Sequence, residues 1–226
     1  MTAEFSALAI ETSTEACSVA ACAGDRFSMR EYASSQSGSR YIFELINEIL
    51  DEIRQSLQSM DCVAFGCGPG GFTGLRVGAA VTQSLAFGAS LSVVRVSSLA
   101  VMAVGAIRKH DVSLIAPCLD ARMGEAYLAV YRTDEQDVVR VEFEDSLVDP
   151  QTFELDSRQN VYAVGPGWGA FSSLRERNAG QISNSDIELM PSARDLLTVA
   201  RQRFQSGQTI RAEAALPNYI RDKVTQ

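Results

Sequence analysis

Apolar and polar positions along the chain follow two kinds of repeat, and the two kinds alternate. Short apolar runs bounded by polar turns predict strands at FSALAIET, ACSVAACAG, RFSMREYA, DCVAFGC and LSVVRV. The second half predicts strands at SLIAPCLDA, EAYLAVYRT, VVRVEFEDS and NVYAVG. Helical spacing of apolar residues predicts helices at 41–58, 73–89, 98–109 and 192–207. Strands that alternate with helices in this way are typical of an α/β fold.

The two halves of the chain resemble each other. LAIETSTEACSVA opens the first half and PCLDARMGEAYLAV the second, and both contain a strand, an acid (Glu11, Asp120), a polar turn and a returning strand. A GPG turn follows in each half, and the second one includes Gly165 and Gly167. The repetition favours a duplicated fold of two lobes with a cleft between them. We expect the lobes at 1–109 and 110–226, with the last residues returning to the first lobe; chance recurrence of a common strand–turn–strand unit is the alternative.

Composition narrows the class of protein. Hydrophobic residues make up 46% and charged residues 21% of 226 residues, which suits a soluble globular chain. No apolar run reaches the ~18 residues of a membrane span, and Glu4 stands where a secretory signal carries positive charge. Five cysteines without a CxxC pair are typical of reduced thiols in a cytosolic protein. We therefore expect a cytoplasmic protein with no membrane association.

Charge is unevenly distributed. The net charge of −8 argues against simple coating of nucleic acid. Residues 62–109, however, contain no Asp or Glu and include Arg76, Arg95, Arg108 and Lys109. A locally positive field there suits an anionic ligand or an acidic partner, whereas a buried core explains the missing acids equally well.

The segment GCGPGGFTGLRVG, residues 66–78, has the composition of a phosphate-binding loop. A Walker A loop is excluded because no Lys follows Gly74. A dinucleotide-binding loop is excluded because no acid follows about 20 residues later, and because Pro69 lacks an N–H group. The remaining interpretation is a tight turn that starts a helix with Thr73 as N-cap. Whether its amides hold an anion or the turn is only structural stays open.

Four segments together, LAIETSTEACSVA, GCGPGGFTGLRVGAAVTQSLAFG, LDARMGEAYLAVY and LPNYIRD, resemble the TsaB family. That family supplies accessory subunits of bacterial tRNA threonylcarbamoyladenosine synthesis. The resemblance covers essentially the whole chain and implies the two-lobed ASKHA fold of actin, sugar kinases and heat-shock chaperones. It also implies a TsaD-like catalytic subunit and a TsaE-like ATPase as partners, in an assembly that modifies the adenosine next to the anticodon of tRNA. Contact with tRNA would then be indirect or through the complex, with the four basic residues of 62–109 as candidates for direct contact.

The residues offer little for catalysis. The single histidine, His110, lies in the polar stretch RKHD, and no HExxH is present. We predict no catalytic residue and no metal site, so the chain is expected to be an accessory subunit and not an enzyme. A free-standing weak ATPase or kinase of the same fold is the main alternative, and a metallopeptidase, which would lack its zinc ligands, is a weaker one.

A degenerate nucleotide site is a separate expectation. The resemblance implies that an acid ending the first strand of each lobe helps to hold metal and phosphate, and Glu11 and Asp120 occupy those places. Glu11 is one methylene longer than the usual Asp. We expect at most weak binding of ATP or ADP with Mg²⁺; ordinary turn chemistry is the alternative for the hydroxyls of 12–14. The candidate cleft residues are Glu11, Thr12, Ser13, Gly70, Gly71, Thr73, Asp120, Arg122, Gly165 and Gly167.

The first two predicted helices suggest a protein interface. Apolar residues of 41–58 span an arc of about 160°, wider than the ≳100° that a helix on one sheet needs. In the second helix, small residues recur every fourth position and form a ridge that permits close helix packing. The resemblance favours a partner subunit on this surface, or a second copy in its absence; coverage by the same chain is the alternative. The expected interface residues are Tyr41, Ile42, Phe43, Ile46, Leu50, Gly74, Gly78 and Thr82.

Overall fold

The structure is a computed structural model that describes residues 4–32, 35–134, 139–156 and 158–221, without the side chains of 35–40. Contacts divide these residues into two compact units. The first unit comprises the residues up to Ser98 together with Pro191–Asn218, and the second comprises Leu99–Met190 and the residues from Tyr219 onward. Among the described residues, no helix is both long and apolar enough to cross a bilayer.

Ten strands and six helices lie in the described residues. The strands are β1 Ser6–Glu11, β2 Cys17–Ala23, β3 Arg26–Tyr32, β4 Cys62–Gly68, β5 Ser92–Ser97, β6 Leu114–Asp120, β7 Ala126–Thr133, β8 Val139–Val148, β9 Val161–Val164 and β10 Ile182–Asp186. The helices are α1 Ser35–Glu52, α2 Phe72–Ala89, α3 Ser98–His110, α4 Gly167–Ala170, α5 Ser172–Arg177 and α6 Ala193–Gln205. Short 3₁₀ turns lie at Leu57–Ser59 and Ala212–Ala214.

Each unit contains a five-stranded mixed sheet, and the two sheets have the same strand order. In the first unit, β1, β2 and β3 form an antiparallel meander, and β4 and β5 extend the sheet parallel to β1. In the second unit, β6, β7 and β8 repeat the meander, and β9 and β10 repeat the parallel pair. The predicted duplicated α/β architecture is confirmed.

Helices cover both faces of the first sheet. Leu8 and Ile10 of β1 share a core with α1 and α2. On the other face, the hydroxyl of Ser18 accepts a hydrogen bond of 2.9 Å from the N–H of Ala193, where α6 begins. Side chains alternate between faces along a strand, so α6 packs opposite α1 and α2. This packing makes residues 191–218 part of the first unit.

The unit boundaries differ from the lobes expected at 1–109 and 110–226. The amphipathic helix α6 is followed by a segment that pairs with the first sheet, through a two-hydrogen-bond bridge between Val93 and Ile210. The return to the first unit therefore involves a whole helix and its extension, and α3 belongs with the second unit from Leu99 onward. Residues 1–3 and 222–226 lie outside the described part of the chain.

Helix α1 ends at Glu52, earlier than the apolar period predicts. The N–H of Gln55 donates to the carbonyl of Leu50, and the N–H of Arg54 donates to that of Asp51. Arg54 has φ 53°, so this is a Schellman C-cap with an arginine in the left-handed position that glycine usually occupies. No glycine marks the end of α1 in the sequence, so the apolar pattern predicted a helix up to residue 58. Leu57, which belongs to that pattern, lies in a 3₁₀ turn.

The sequence suggested that His110 lies in a polar linker. In the structure it is the last residue of α3. Its Nε2 lies 2.8 Å from Oδ2 of Asp186, and its ring stacks on Tyr162 with centroids 4.9 Å apart. The hydrogen bond with His110, and to a lesser degree the charge of Lys109, lower the pKa of Asp186. Basic residues favour the C-terminal turn of a helix because they offset its dipole, which explains why RKH extends α3.

The core of the second unit contains two polar side chains with complete hydrogen bonding. Trp168 is buried beneath β6, and its indole N–H donates to the carbonyl of Ala116 at 2.7 Å. Asn178 is 1% exposed, and its Oδ1 accepts from the N–H of Leu155 at 2.7 Å. Its Nδ2 donates to the carbonyls of Leu174 and Phe153. Asn178 therefore ties the segment after β8 to the end of α5.

Replacing Asn178 with alanine should lower the free energy of unfolding by about 1–3 kcal/mol, because the buried N–H of Leu155 loses its acceptor. Arg177→Ala is the matched control: Arg177 is exposed and only forms a surface ion pair with Glu154, so the loss should be below about 1 kcal/mol. Chemical denaturation followed by circular dichroism measures both. Equal losses in the two variants would contradict a structural role for Asn178.

Candidate functional site

The carboxyl group of Glu11, which ends β1 as predicted, points into the protein. Glu11 is 1% exposed, and its Oε1 accepts a hydrogen bond of 2.7 Å from the N–H of Ser13. A Cβ atom at Gly66 of β4 would overlap this carboxyl, so the glycine leaves the room that Glu11 fills. Burial raises the pKa of Glu11, and the hydrogen bond from the Ser13 N–H opposes that shift only in part.

The turn after Glu11 lies directly against the start of α2. Thr12 donates its hydroxyl to the carbonyl of Gly74 at 2.8 Å, and the N–H of Gly71 donates to the carbonyl of Ser13 at 2.7 Å. A Cβ atom at Gly74 would overlap the Thr12 carbonyl, and one at Gly78 would overlap the Thr12 hydroxyl. Only residues without a side chain allow this approach of helix and turn.

These contacts change the interpretation of the glycine loop. Gly71, and not Thr73, is the N-cap of α2, and it has no capping side chain; Thr73 lies exposed in the first turn. The amide of Gly71 is already bonded to Ser13, and a Cβ atom at Gly70 would overlap the same carbonyl. The glycines therefore have a packing role, while anion binding at this turn stays a prediction.

Three buried oxygens of the turn have no hydrogen-bond partner within the described part of the chain: Glu11 Oε2, Ser13 Oγ and Thr14 Oγ1. Oxygens of this kind are commonly satisfied by ordered water or a ligand. Mg²⁺, however, takes ionised, accessible carboxylates and keeps several waters. A fully buried carboxyl with a raised pKa does not fit that requirement, so Glu11 as placed here is not a ligand for Mg²⁺.

The corresponding acid of the second unit, Asp120, ends β6 and holds its own turn. Its Oδ1 accepts from the N–H of Arg122 at 2.7 Å, and its Oδ2 lies 3.4 Å from the guanidinium of Arg122. Arg122 and Met123 both have positive φ, 65° and 56°, a conformation that costs energy in residues other than glycine. Arg221 stabilises this turn through the carboxylate of Glu125 and the carbonyl of Arg122.

The second GPG turn also packs on its neighbours. Gly165 has φ 98° and donates its N–H to the carbonyl of Asp186 at 2.9 Å. A Cβ atom at Gly167 would overlap the thiol of Cys118. Six of the predicted cleft residues thus belong to the first unit and four to the second, and the glycines Gly70, Gly165 and Gly167 lie in close contact with neighbouring backbone.

The predicted interface on α1 is largely part of the core. Ile42, Ile46 and Leu50 are 1%, 3% and 8% exposed and contact the first sheet and α2. These three side chains are therefore corrected from interface to core residues, because the sheet and a neighbouring helix together use the wide apolar arc. Tyr41 and Phe43, at 37% and 52%, are the exposed members.

The small-residue ridge of α2 also faces inward. Gly78 and Thr82 are buried, and Gly74 and Gly78 lie against Thr12 of the same chain. The sequence suggested an accessible interface here, but the ridge is buried within the chain. The four-residue spacing of its small side chains reflects the close approach of α2 to the turn after β1. Sequence spacing alone shows that a ridge exists but not which neighbour it meets.

A different face of α2 is exposed and was not singled out from the sequence. Its residues recur at three- and four-residue intervals: Thr73, Arg76, Ala80, Ser84 and Phe87. Phe87 is 71% exposed, and the Arg76 guanidinium lies 3.6 Å from the ring centroid of Phe72, which is 54% exposed. We call Phe43 together with Phe72 and these five residues the α2 face. The signal available in the sequence was Phe87, which lies well away from Leu75 and Ala79 on a helical projection.

The described residues offer few reactive groups. Within them, no three His, Cys, Asp or Glu side chains come together as metal ligands. All five cysteines are buried thiols. Burial raises the pKa of Cys17 to about 11 and that of Cys62 to about 12, so these thiols are poor nucleophiles at neutral pH.

Comparison with known proteins gives concordant results. Residues 32–226 match the family model described as TsaD, tRNA N6-adenosine threonylcarbamoyltransferase. The tRNA threonylcarbamoyladenosine biosynthesis protein TsaB of Escherichia coli is 35% identical, over 96% of this chain and 95% of its own length. TsaB of Haemophilus influenzae is 36% identical, over 96% and 94% respectively. The chain belongs to the TsaB family.

Solved structures agree with this assignment. A crystal structure from Pseudomonas aeruginosa, described as an uncharacterized protein with similarity to peptidase YeaZ, superposes with a TM-score of 0.89 at 33% identity, covering 96% of this TsaB-family chain and all of that one. YeaZ from the same organism gives 0.87 at 33% identity, covering 95% and 99%. The resemblance noted in the sequence and the ASKHA-type fold are confirmed.

Substituting Gly78 with alanine should destabilise this TsaB-family protein by about 1–3 kcal/mol, because the added methyl overlaps the Thr12 hydroxyl. Gly88→Ala is the control on the same helix: a Cβ there meets nothing, so helix propensity should raise stability by about 0.5–1 kcal/mol. Adding Thr12→Ala to Gly78→Ala should recover part of the loss. Thermal unfolding of these three variants and of Thr12→Ala alone measures this coupling, and strictly additive effects would contradict the contact.

Glu11→Gln tests the buried carboxyl. The folded pKa of Glu11 lies above its ordinary value of 4.5, so the folded chain retains a proton that the unfolded chain releases. The protonated carboxyl therefore stabilises the fold fully below pH 4.5, and this stabilisation is lost as the pH rises through the raised folded pKa. The wild type should therefore lose more stability than the glutamine variant as the pH rises from 4.5 through the raised folded pKa. Parallel pH profiles from chemical denaturation would contradict a raised pKa.

Proposed function

We propose that this chain is a non-catalytic partner subunit that binds and activates a TsaD-like transferase, together with a TsaE-like ATPase. The modified site is the adenosine next to the anticodon of tRNA, and the assembly works in the cytoplasm. The relatives named TsaB support a role in tRNA threonylcarbamoyladenosine biosynthesis. The identity of the partner subunits and the absence of catalysis in this chain go beyond the names of the relatives and are proposed here.

The observation that carries the proposal is the α2 face. Phe72 and Phe87 are exposed near the two ends of α2, with the small exposed side chains of Ala80 and Ser84 between them in sequence, and Phe43 is exposed on the neighbouring helix α1. Aromatic side chains with low conformational entropy are typical anchors of protein interfaces, and small residues allow a partner helix to approach closely. Isolated exposed apolar residues need no explanation, but aromatics gathered along one helix and its neighbour indicate a binding surface.

The groups that would serve catalysis have structural roles instead. Glu11 fills the space left by Gly66, Asp120 binds Arg122, and His110 binds Asp186. None of the three is left as an accessible base next to a nucleophile in the part of the chain that the structure describes. These contacts support an accessory role, in which the chain contributes a surface and the partner contributes the chemistry.

In isolation the α2 face should pair with a second copy. A self-complementary patch generates a twofold dimer, and the same patch then exchanges between a homodimer and a heterodimer. Dissociation of the homodimer would accompany binding of the TsaD-like subunit.

Phe43→Glu and Phe87→Glu should each reduce co-purification with a TsaD-like subunit by at least about tenfold, the effect of losing an interface anchor. Both side chains are exposed, so the variants should fold. Phe27→Glu is the matched control, since Phe27 is a 44% exposed phenylalanine on β3, away from this face. Undiminished complex formation by both folded test variants would refute the surface.

A second measurement tests the non-catalytic role. The purified chain should show no steady-state turnover of ATP with Mg²⁺, because Glu11 as placed is not a metal ligand. Robust turnover would instead favour the alternative of a free-standing ATPase or kinase.

A further inference from the structure

The edge of the first sheet that is formed by β5 carries three arginines. Arg95 lies on β5 itself, and Arg203 of α6 donates from its guanidinium to the carbonyl of Arg95. Arg211 follows Ile210, whose N–H and carbonyl pair with Val93 of the same strand. We call Arg95, Arg203 and Arg211 the arginine edge.

These three arginines are not used in ion pairs within the described residues. Within the described residues, none of the three has a carboxylate at ion-pair distance. Seven arginines elsewhere do: Arg30, Arg122, Arg132, Arg140, Arg158, Arg177 and Arg221. The Nε of Arg95 is also buried without a hydrogen-bond partner. A buried, charged donor of this kind needs an acceptor, which an anion or an ordered water would supply.

Positive charges outnumber negative ones in the surrounding sequence. Residues 62–109, which include β5, contain no Asp or Glu. Residues 191–213 contain four arginines and two acids, Asp195, which is 2% exposed, and the exposed Glu213. The local potential at this edge is therefore positive even though the whole chain carries −8.

We infer that the arginine edge contacts the phosphodiester backbone of RNA when the chain is in its assembly. Guanidinium groups match the geometry of phosphate oxygens and remain charged at all relevant pH values. An RNA backbone fits better than an acidic protein surface. The relatives are named for tRNA modification, and tRNA is a polyanion that the assembly must bind. The inference rests on the proposed function for the presence of tRNA, but it concerns a surface separate from the α2 face.

The test uses the complex of the full chain with a TsaD-like subunit and an unmodified transcript of a tRNA that decodes codons starting with A. The triple variant Arg95→Gln, Arg203→Gln, Arg211→Gln should bind the transcript at least about tenfold more weakly. The slope of log affinity against log salt should fall by about 2–3, since each phosphate contact contributes about 0.7–0.9. Fluorescence anisotropy over a series of salt concentrations measures both quantities.

Two controls separate RNA contact from general effects. Arg132→Gln, Arg140→Gln, Arg158→Gln removes the same charge from ion-paired positions and should leave affinity and slope within about twofold of the wild type. Arg211→Gln alone breaks no described contact, so it should fold normally and lower the slope by about 1. Thermal unfolding checks that the triple variant is folded.

The outcomes also distinguish this inference from the proposed function. If the triple variant still forms the complex and binds RNA with unchanged salt dependence, the arginine edge is not an RNA contact, while the partner role stands. If the triple variant forms less complex, and the complex that does form binds RNA with unchanged salt dependence, the edge is a protein-binding surface and the inference is wrong. If the wild-type chain forms no complex at all, the partner role fails. The salt titration is then carried out on the isolated chain. The same slope of log affinity against log salt for the wild type and the triple variant would overturn the inference.

Discussion

The contact between α2 and the turn after β1 determines much of the first unit. At Gly74 and Gly78 the helix backbone approaches Thr12 so closely that no side chain fits between them. The hydrogen bond from Thr12 to the Gly74 carbonyl fixes the rotation of the helix about its axis. That rotation decides which residues face outward, and it places Phe87 and Arg76 on the surface. A surface proposed for binding thus depends on an internal contact between two backbones.

The polar groups at the two strand ends show how a fold associated with nucleotide binding can use the same residue types for structure. Glu11 is buried beneath Gly66, and its neighbours Thr12 and Ser13 bond to the helix backbone. Asp120 accepts from its own Arg122. Each acid occupies the position expected from the chain pattern, but each is committed to a local partner. The position of a residue in a fold therefore does not establish its chemical role.

Local pattern was sufficient for the parts of the fold that local forces determine. The alternation of apolar residues predicted the meanders, and the helix predicted at 192–207 is α6, with Ser192 as its N-cap and Gly207 at positive φ just past its end. Comparing the two halves predicted the duplication, but the fifth strand of the second sheet, β10, was not predicted. Pattern failed where tertiary contacts decide: Arg54 ends α1 without a glycine, and Leu50 is buried because a second helix lies beside the first. Likewise, glycine spacing in α2 showed a close contact but not its partner.

The allocation of chain segments to the two units has a consequence for biosynthesis. The first unit is built from residues up to Ser98 and from Pro191–Asn218, whereas the second is almost continuous in sequence. On the ribosome, the strands of the first unit emerge long before α6, the helix that covers one of their faces. That face, rich in alanine and valine, remains exposed while the whole second unit is being made. The second unit also takes in the residues from Tyr219 onward, so neither unit is complete until the C-terminal part of the chain has been made.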